Sequence, residues 1–493
     1  MRIIANRGAL EGKQTMSQSP SGPGKKRLAL LLIALAQFVV IMDTSIVGVA
    51  LPRMQEDLGF SPENLSWVFN AYVIAFGGLL LLGGRLGDVF GARRMFATGW
   101  MVLLAGSAVA GFAGNVAVEL SGRGLQGVGA ALIAPAALTL LMKTFGSSPK
   151  ELGGALALYG AAAPAGGTAG VFLGGVITEY MSWPWVFFIN IPLALLVLAL
   201  VAKSLPADGP RIAGSVDIAG ALLVTAGLAV GVFAIVRAPE VGWASTETWG
   251  TLIAAVVLLA LFILVQARRR EPLMRLSIFR IPNLAAANLA QLLLAAAWIP
   301  MWFFLNLYLQ QVLGYSAFPS GAALLPMTAF TMITMILFAP RLTAKFGPKA
   351  MTVSGLLALS GGLVWLSFAR VDGNFWVDAL PASLLAALGM SLAFIPTLGT
   401  AISSAPPQEG GLASGLVNTS YQVGSALGLA AMTAIAAANG ASEIGNLPAL
   451  TTGFASAFIG AAIIALAGAV LAAMTLQGRN RAMENEKEAA TAR

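Results

Sequence analysis

The chain has 493 residues, of which 58% are hydrophobic and only 10% charged, with a mean hydropathy of +0.82; a water-soluble domain carries about 25% charged residues, so most of this surface is built to face lipid. There is no Cys and no His, which excludes disulfides, thiolate chemistry, Cys/His zinc sites and imidazole catalysis, and no cofactor or metal is expected. The net charge of +8 does not read as a nucleic-acid footprint, because Lys and Arg lie in short patches between apolar runs.

Residues 1–27 are polar, rich in Ser, Pro and Gly, and end in Lys25-Lys26-Arg27. They read as a disordered tail, with Met16 a candidate alternative start. The apolar run that follows is too long for a signal-peptide core and lacks a small-residue cleavage site, so it is expected to stay in the mature protein. At ~20 apolar residues per crossing, spans are expected at 28–51, 65–83, 95–114, 117–142, 152–178, 185–203, 216–236, 249–267, 283–307, 320–340, 349–369, 377–402, 410–438 and 453–476. That makes about fourteen transmembrane helices in an all-α polytopic membrane protein. With both termini in the cytoplasm, the outward segments hold only Arg53, Arg237 and Arg370, and one base, Arg123, lies within a span. All other Lys and Arg fall inside, as the positive-inside rule requires of a multi-pass protein of the cytoplasmic membrane. The segment 268–282 mixes basic and apolar residues and reads as an amphipathic connector held on the inner surface by anionic headgroups. Residues 477–493 read as a second cytoplasmic tail.

The loop Gly84-Arg85-Leu86-Gly87-Asp88-Val89-Phe90-Gly91-Ala92-Arg93-Arg94 is short and joins two apolar spans. Arg341-Leu342-Thr343-Ala344-Lys345-Phe346-Gly347 repeats Arg85–Gly91 in length, with identity at Arg, Leu, Phe and Gly. The offset, about 256 residues, is half the chain, as in a duplicated membrane bundle. The expected organisation is a six-helix bundle at 28–203, a linker with two additional helices at 204–267, and a second six-helix bundle at 283–476.

Within the spans the loop assignments leave one acid, Asp43, and one base, Arg123. Each costs ~2.5–3.5 kcal/mol at a helix centre, and such residues pair or line a path. Asp43 lies ~12 Å below the outer end of the first span and Arg123 ~9 Å below that of the fourth, so the two are expected to meet. The expected role is proton uptake and release at Asp43, biased by Arg123; a structural ion pair, or a local helix cap at Asp43-Thr44-Ser45, is the alternative. The fifth span is dense in glycine, including Gly166, Gly167, Gly170, Gly174 and Gly175, and contains Pro164; Gly410-Gly411 and Gly424 in the thirteenth match Gly153-Gly154 and Gly167. Pro135 and Pro396 lie in the fourth and twelfth. Small, kinked helices suit two bundles that rock against each other. Polar and aromatic residues within spans are the candidate substrate contacts: Gln37, Asn70, Tyr72, Gln126, Trp302, Asn306, Asn418 and Gln422. Simple packing or interface anchoring is the alternative for each. No set of nucleophile, base and oxyanion donors occurs, so an enzyme is not expected.

Together these segments resemble the 14-span drug:proton antiporter branch of the major facilitator superfamily, over about residues 28–476. Gly84–Arg94 looks like the signature loop between helices 2 and 3. The resemblance implies that Asp88, with Arg85, Arg93 and Arg94 and the turn glycines Gly84 and Gly91, forms a charge clasp that holds the cytoplasmic gate closed. The stretch Met42–Pro52 is similar to the branch's helix 1 motif, whose Asp is implicated in proton coupling, and Ser121–Ala130 to the helix 4 motif, whose Arg is linked to proton transfer. Ser182–Pro192 and Glu271-Pro272-Leu273 also look like branch hallmarks. Two departures stand out: Val171 replaces the Pro of the helix 5 antiporter motif, and Pro184 sits where an Arg is usual between two Trp. No acid lies deep in the second half, which disfavours a dicationic substrate. The resemblance implies a monomeric transporter in the lipid bilayer that exports hydrophobic small molecules against proton influx. A proton-linked symporter of the same fold and a non-transporting sensor or scaffold are the alternatives.

Overall fold

The structure, a computed structural model, describes residues 23–60, 67–208, 217–269, 272, 276–406, 409–443 and 445–477. Residues 1–22 of the expected tail 1–27, part of the connector with Glu271 and Leu273, and residues 478–493 of the expected tail 477–493 lie outside the described residues. Among the described residues, 13 helices are long and apolar enough to cross a membrane. Helices are the expected solution, since a backbone in lipid must satisfy every N–H and C=O within its own segment.

In the first half these are α1 (Pro23–Leu58), α2 (Trp67–Phe90), α3 (Ala92–Gly111), α4 (Val116–Phe145), α5 (Pro149–Tyr180) and α6 (Trp185–Ser204). A helix at Ile218–Val241, α7, occupies the seventh expected span, with a shorter apolar stretch at Ala219–Ile235. There follow α8 (Thr246–Arg268), α9 (Asn283–Val312), α10 (Pro319–Phe346), α11 (Pro348–Leu366), α12 (Phe375–Ser403), α13 (Gly410–Ala441) and α14 (Leu447–Thr475). Thirteen of the fourteen expected spans are filled by such helices in the expected order, and α7 stands at the seventh. The main differences are at the ends. Helix α1 begins at Pro23, inside the expected tail, and continues to Leu58, past the expected end at 51. Wide π turns at Thr334–Phe338 and Phe375–Ala379 interrupt α10 and α12 just before Pro340 and Pro381. A proline lacks the N–H and crowds the carbonyl four residues back, so the preceding turn opens.

The two halves use the same helix pairings. In the first, α1 packs on α5, and α2 and α3 on α4; in the second, α9 packs on α13, and α10 and α11 on α12. The α1–α5 and α9–α13 crossings are made by glycine pairs four residues apart. A Cβ on Gly166 would overlap the Phe38 carbonyl oxygen, and one on Gly170 would lie 2.8 Å from that of Met42. Gly424 and Gly428 meet the carbonyls of Leu292 and Ala296 in the same way. The structural counterpart of Gly424 is therefore Gly166 rather than the expected Gly167, which has only ordinary contacts to Ser45 and Ile41.

The halves meet along two seams, α2 with α13 and α5 with α10. Helix α7 lies over the first seam, touching both α2 and α13, while α8 packs mainly on α7. Asp217 anchors this pair. Its carboxylate caps α7 through Gly220 N–H at 2.9 Å and accepts from Gln266 at 2.8 Å and Arg269 at 2.6 Å, both at the end of α8. The connector is not merely laid on a surface. Ile278, in a 3-10 turn at Leu276–Arg280, is buried against Leu81, Leu284 and Leu412, and Phe279 beside it is exposed.

Candidate functional site

The polar centre of the molecule lies inside the first bundle. Asp43 of α1 and Arg123 of α4 are both fully buried, with Arg123 Nη1 2.6 Å from Asp43 Oδ2. The carboxylate's other oxygen accepts from Gln126 Nε2 at 2.8 Å and from Asn190 Nδ2, on α6, at 2.6 Å. Gln126 also accepts from Arg123 Nη1 at 2.6 Å and donates to Ser107 Oγ on α3 at 2.9 Å. Arg123 Nε donates to the Val68 carbonyl on α2 at 2.9 Å. The guanidinium lies over the Tyr72 ring at 4.7 Å, and Tyr72 donates to the Val40 carbonyl at 3.1 Å.

Local sequence explains the convergence. Arg123 and Gln126 are three apart on α4 and so share a face. Glycines around them admit the neighbouring helices: a Cβ on Gly122 would lie 2.6 Å from Ala110 N, one on Gly106 2.6 Å from Gln126 N, and one on Gly127 would overlap the Tyr72 carbonyl. On α1, the Gly166 and Gly170 crossing with Phe38 and Met42 fixes the rotation beside Asp43. A buried ion pair is tolerated only when its remaining lone pairs and protons are matched. Here one carboxylate is held by three side-chain donors from two helices.

The expected meeting of Asp43 and Arg123 is therefore observed, but the expected inventory of acids within spans needs correction. Glu119, in the first turns of α4, is fully buried, as is Asp217, and Asp378 is 9% exposed. All three fall just inside span boundaries, where a loop assignment missed them. Asp378 pairs with Arg370 at 2.8 Å. Two members of the centre, Ser107 and Asn190, were not singled out as site residues; a lone amide in an otherwise apolar span was the available signal for Asn190. Of the expected substrate contacts, Tyr72 and Gln126 belong to this centre. Asn70 is buried on α2; Gln37, Trp302, Asn306, Asn418 and Gln422 are half-buried on α1, α9 and α13. Asn306 accepts from Gln310 at 3.2 Å, and Asn418 donates to the Ser414 carbonyl at 2.8 Å.

The second arrangement is at the end of α2. Asp88 accepts from the backbone N–H groups of Gly411 at 2.8 Å and Leu412 at 2.9 Å, at the start of α13. The carboxylate of one bundle thus caps a helix of the other, where the helix dipole favours negative charge. Gly84 and Gly411 make this approach possible, since a Cβ on either would overlap the other's carbonyl oxygen. The arginines differ from the expected charge clasp. The main-chain N–H groups of Arg93 and Arg94 are capped by Asp208, at 2.9 and 3.0 Å, and Arg93 Nη1 reaches the Ala202 carbonyl at 3.5 Å. Arg85 acts on Asp88 at longer range, with Lys143. Gly91 has φ 102 and packs on Asp208. Its counterpart in the repeat, Gly347, has φ 85. Among the described residues no cluster of three or more His, Cys, Asp or Glu could hold a metal.

Comparison with known proteins agrees with this architecture. The cephamycin export protein of Amycolatopsis lactamdurans is 37% identical over 446 residues, covering 90% of this chain and 91% of its own. The puromycin resistance protein of Streptomyces alboniger is 36% identical over 482 residues, covering 95% of each. Among solved structures, the proton:xylose symporter XylE superposes with a TM-score of 0.66 at 13% identity, over 92% of this chain and 96% of that one, a likeness of fold alone. The family profile described as Major Facilitator Superfamily matches residues 33–429, and with two pseudo-equivalent six-helix bundles joined by an additional pair, the chain belongs to that superfamily.

Proposed function

We propose that the protein exports hydrophobic, antibiotic-like small molecules across the cytoplasmic membrane, driven by proton influx, with Asp43 as the proton-carrying group. The relatives named for cephamycin export and puromycin resistance support the substrate class. The observation that carries the mechanism is the wholly buried Asp43 carboxylate, held by Arg123, Gln126 and Asn190. Protonation of Asp43 cancels its charge and weakens its bond to Arg123, which loosens α1 against α4 and α6. The first bundle then rocks on the second, and the Asp88 cap on α13 opens and closes the cytoplasmic face. In this reading both termini are cytoplasmic, the working unit is a monomer, and Gln37, Trp302, Asn306, Asn418 and Gln422 contact the substrate. Export is the favoured direction; the replacement of the helix 5 proline by Val171, which packs against Gly321 on α10, is the one observation on the side of symport.

The test uses the full chain in liposomes with an imposed pH gradient and a panel of lipophilic dyes together with puromycin. Uphill movement that requires the gradient and is lost in Asp43→Asn is the expected result. Flux in the mutant equal to wild type would remove Asp43 from the coupling step, and movement of substrate in the same direction as protons would favour symport.

A further inference from the structure

One buried ionisable group has no part in the mechanism above. Glu119 lies on α4 one turn before Arg123, fully buried, and neither carboxyl oxygen accepts a hydrogen bond among the described residues. Arg123 has a matching deficit. Its Nε and Nη1 are engaged by Val68, Asp43 and Gln126, but Nη2 is buried without an acceptor. Residues four apart on a helix lie about 5–6 Å from each other at Cβ, so an unsatisfied donor and an unsatisfied acceptor are stacked on one helix face. The charged groups that act on Glu119 are Arg123 on its own helix and Asp43 on α1; Tyr72, on α2, faces the guanidinium from the other side.

A buried carboxylate with no donor is too costly to keep ionised, so beside an intact Asp43–Arg123 pair Glu119 is the neutral acid. A guanidinium cannot give up its own proton in a protein. When Asp43 becomes neutral, Arg123 therefore needs another anion, or it is left as an uncompensated buried charge. We propose that Glu119 is that anion: a second, alternating counter-ion for Arg123 and the relay through which the proton reaches Asp43 from the α3–α4 end of the bundle. The step balances in charge and protons. The Glu119 O–H bond breaks, an O–H bond forms on Asp43, and Nη2 of Arg123 takes up the Glu119 carboxylate as Nη1 releases that of Asp43. The centre is neutral before and after. A proton from solvent restores neutral Glu119 only as Asp43 releases its own proton and rebinds Arg123, so that one carboxylate always faces the guanidinium.

This inference rests on the proton role proposed for Asp43, and its test is chosen to fail separately. Infrared difference spectroscopy of the full chain in lipid vesicles reads protonated carboxyl groups through their C=O stretch, and isotope-labelled glutamate assigns a band to Glu rather than Asp. At neutral pH the wild type is expected to show a protonated Glu band that Glu119→Gln removes. Asp43→Asn, which leaves Glu119 in place but takes away Arg123's first partner, is expected to abolish the same band as Glu119 ionises. A band that persists unchanged in Asp43→Asn, or no protonated Glu in the wild type, overturns the proposal, and the Asp43→Asn arm decides the matter even if Glu119→Gln folds poorly. If the band responds as expected while dye flux is unaffected by Asp43→Asn, the alternating counter-ion stands and the proton-coupling reading falls.

Discussion

The two bundles share their helix pairings and their glycine crossings, yet they hold very different chemistry. In the first, α1, α3, α4 and α6 enclose a carboxylate, a guanidinium and two amides. In the second, the side-chain bonds between α9 and its neighbours are neutral: Thr397 Oγ1 of α12 donates to Gln291 Oε1 at 2.5 Å, and Ser420 Oγ of α13 to Asn288 Oδ1 at 3.0 Å. The seams repeat the contrast. Where Asp88 of α2 caps α13, the matching residue on α10 is Ala344, which is exposed, and Ser148 alone caps the start of α5, accepting from Glu151 N–H at 3.4 Å. Duplication explains the common frame. One half holds its ion pair fully buried between helices, while the other keeps its Arg370–Asp378 pair at the start of α12, with Arg370 exposed.

Five substitutions test that contrast. The largest effect is expected at the charged centre. Asp43→Ala leaves Arg123, Gln126 and Asn190 without their acceptor and is expected to cost ~3–5 kcal/mol, read as a fall in thermal stability of the purified protein. Thr397→Val, at the neutral α9–α12 bond, is expected to cost only about 1 kcal/mol; equal losses would erase the asymmetry. Next is the α2–α13 crossing. Gly84→Leu forces side-chain volume into the Gly411 backbone and is expected to destabilise the closed seam by ~1–3 kcal/mol. Spin labels at the ends of α2 and α13 should report a longer distance. Asp88→Asn keeps the shape but removes the charge at the helix N-terminus, and the same labels should show a shift toward the open form worth ~0.3–1 kcal/mol. The smallest change tests the missing cap directly. Ala344→Asp should tighten α10 against α5 by no more than ~0.3–1 kcal/mol, read from labels on those two helices; no shift would mean that the second seam does not reproduce the geometry of the first.

The number and order of the helices were legible because long apolar runs have one solution in lipid, and the Arg and Lys distribution constrained how they alternate. The Asp43–Arg123 pair was legible for the same reason: few charges lie in the spans, and those that do must be compensated. What sequence reading missed lay where that logic weakens. Glu119 sits within two turns of a helix start, where an acid passes for a loop residue or a first-turn anion. Asn190 and Ser107 are neutral, so nothing in their composition demands a partner. The binding of Asp88 by backbone N–H groups could not be read at all, because every peptide unit carries the same donor and only the close approach of Gly84 and Gly411 selects these two.

The additional pair has its own consequence toward the bilayer. Helix α7 is pressed onto α2, where a Cβ on Gly78 would lie 3.2 Å from the Thr225 carbonyl and Trp67 stacks on Phe233 at 5.4 Å, and it also touches α13. It therefore covers the α2–α13 seam on its outer side in this structure. The opposite seam, between α5 and α10, where Thr168 and Thr328 meet at 2.5 Å, has no comparable cover from α7 or α8. Helix α7 thus makes the two flanks of the protein unequal toward the surrounding lipid.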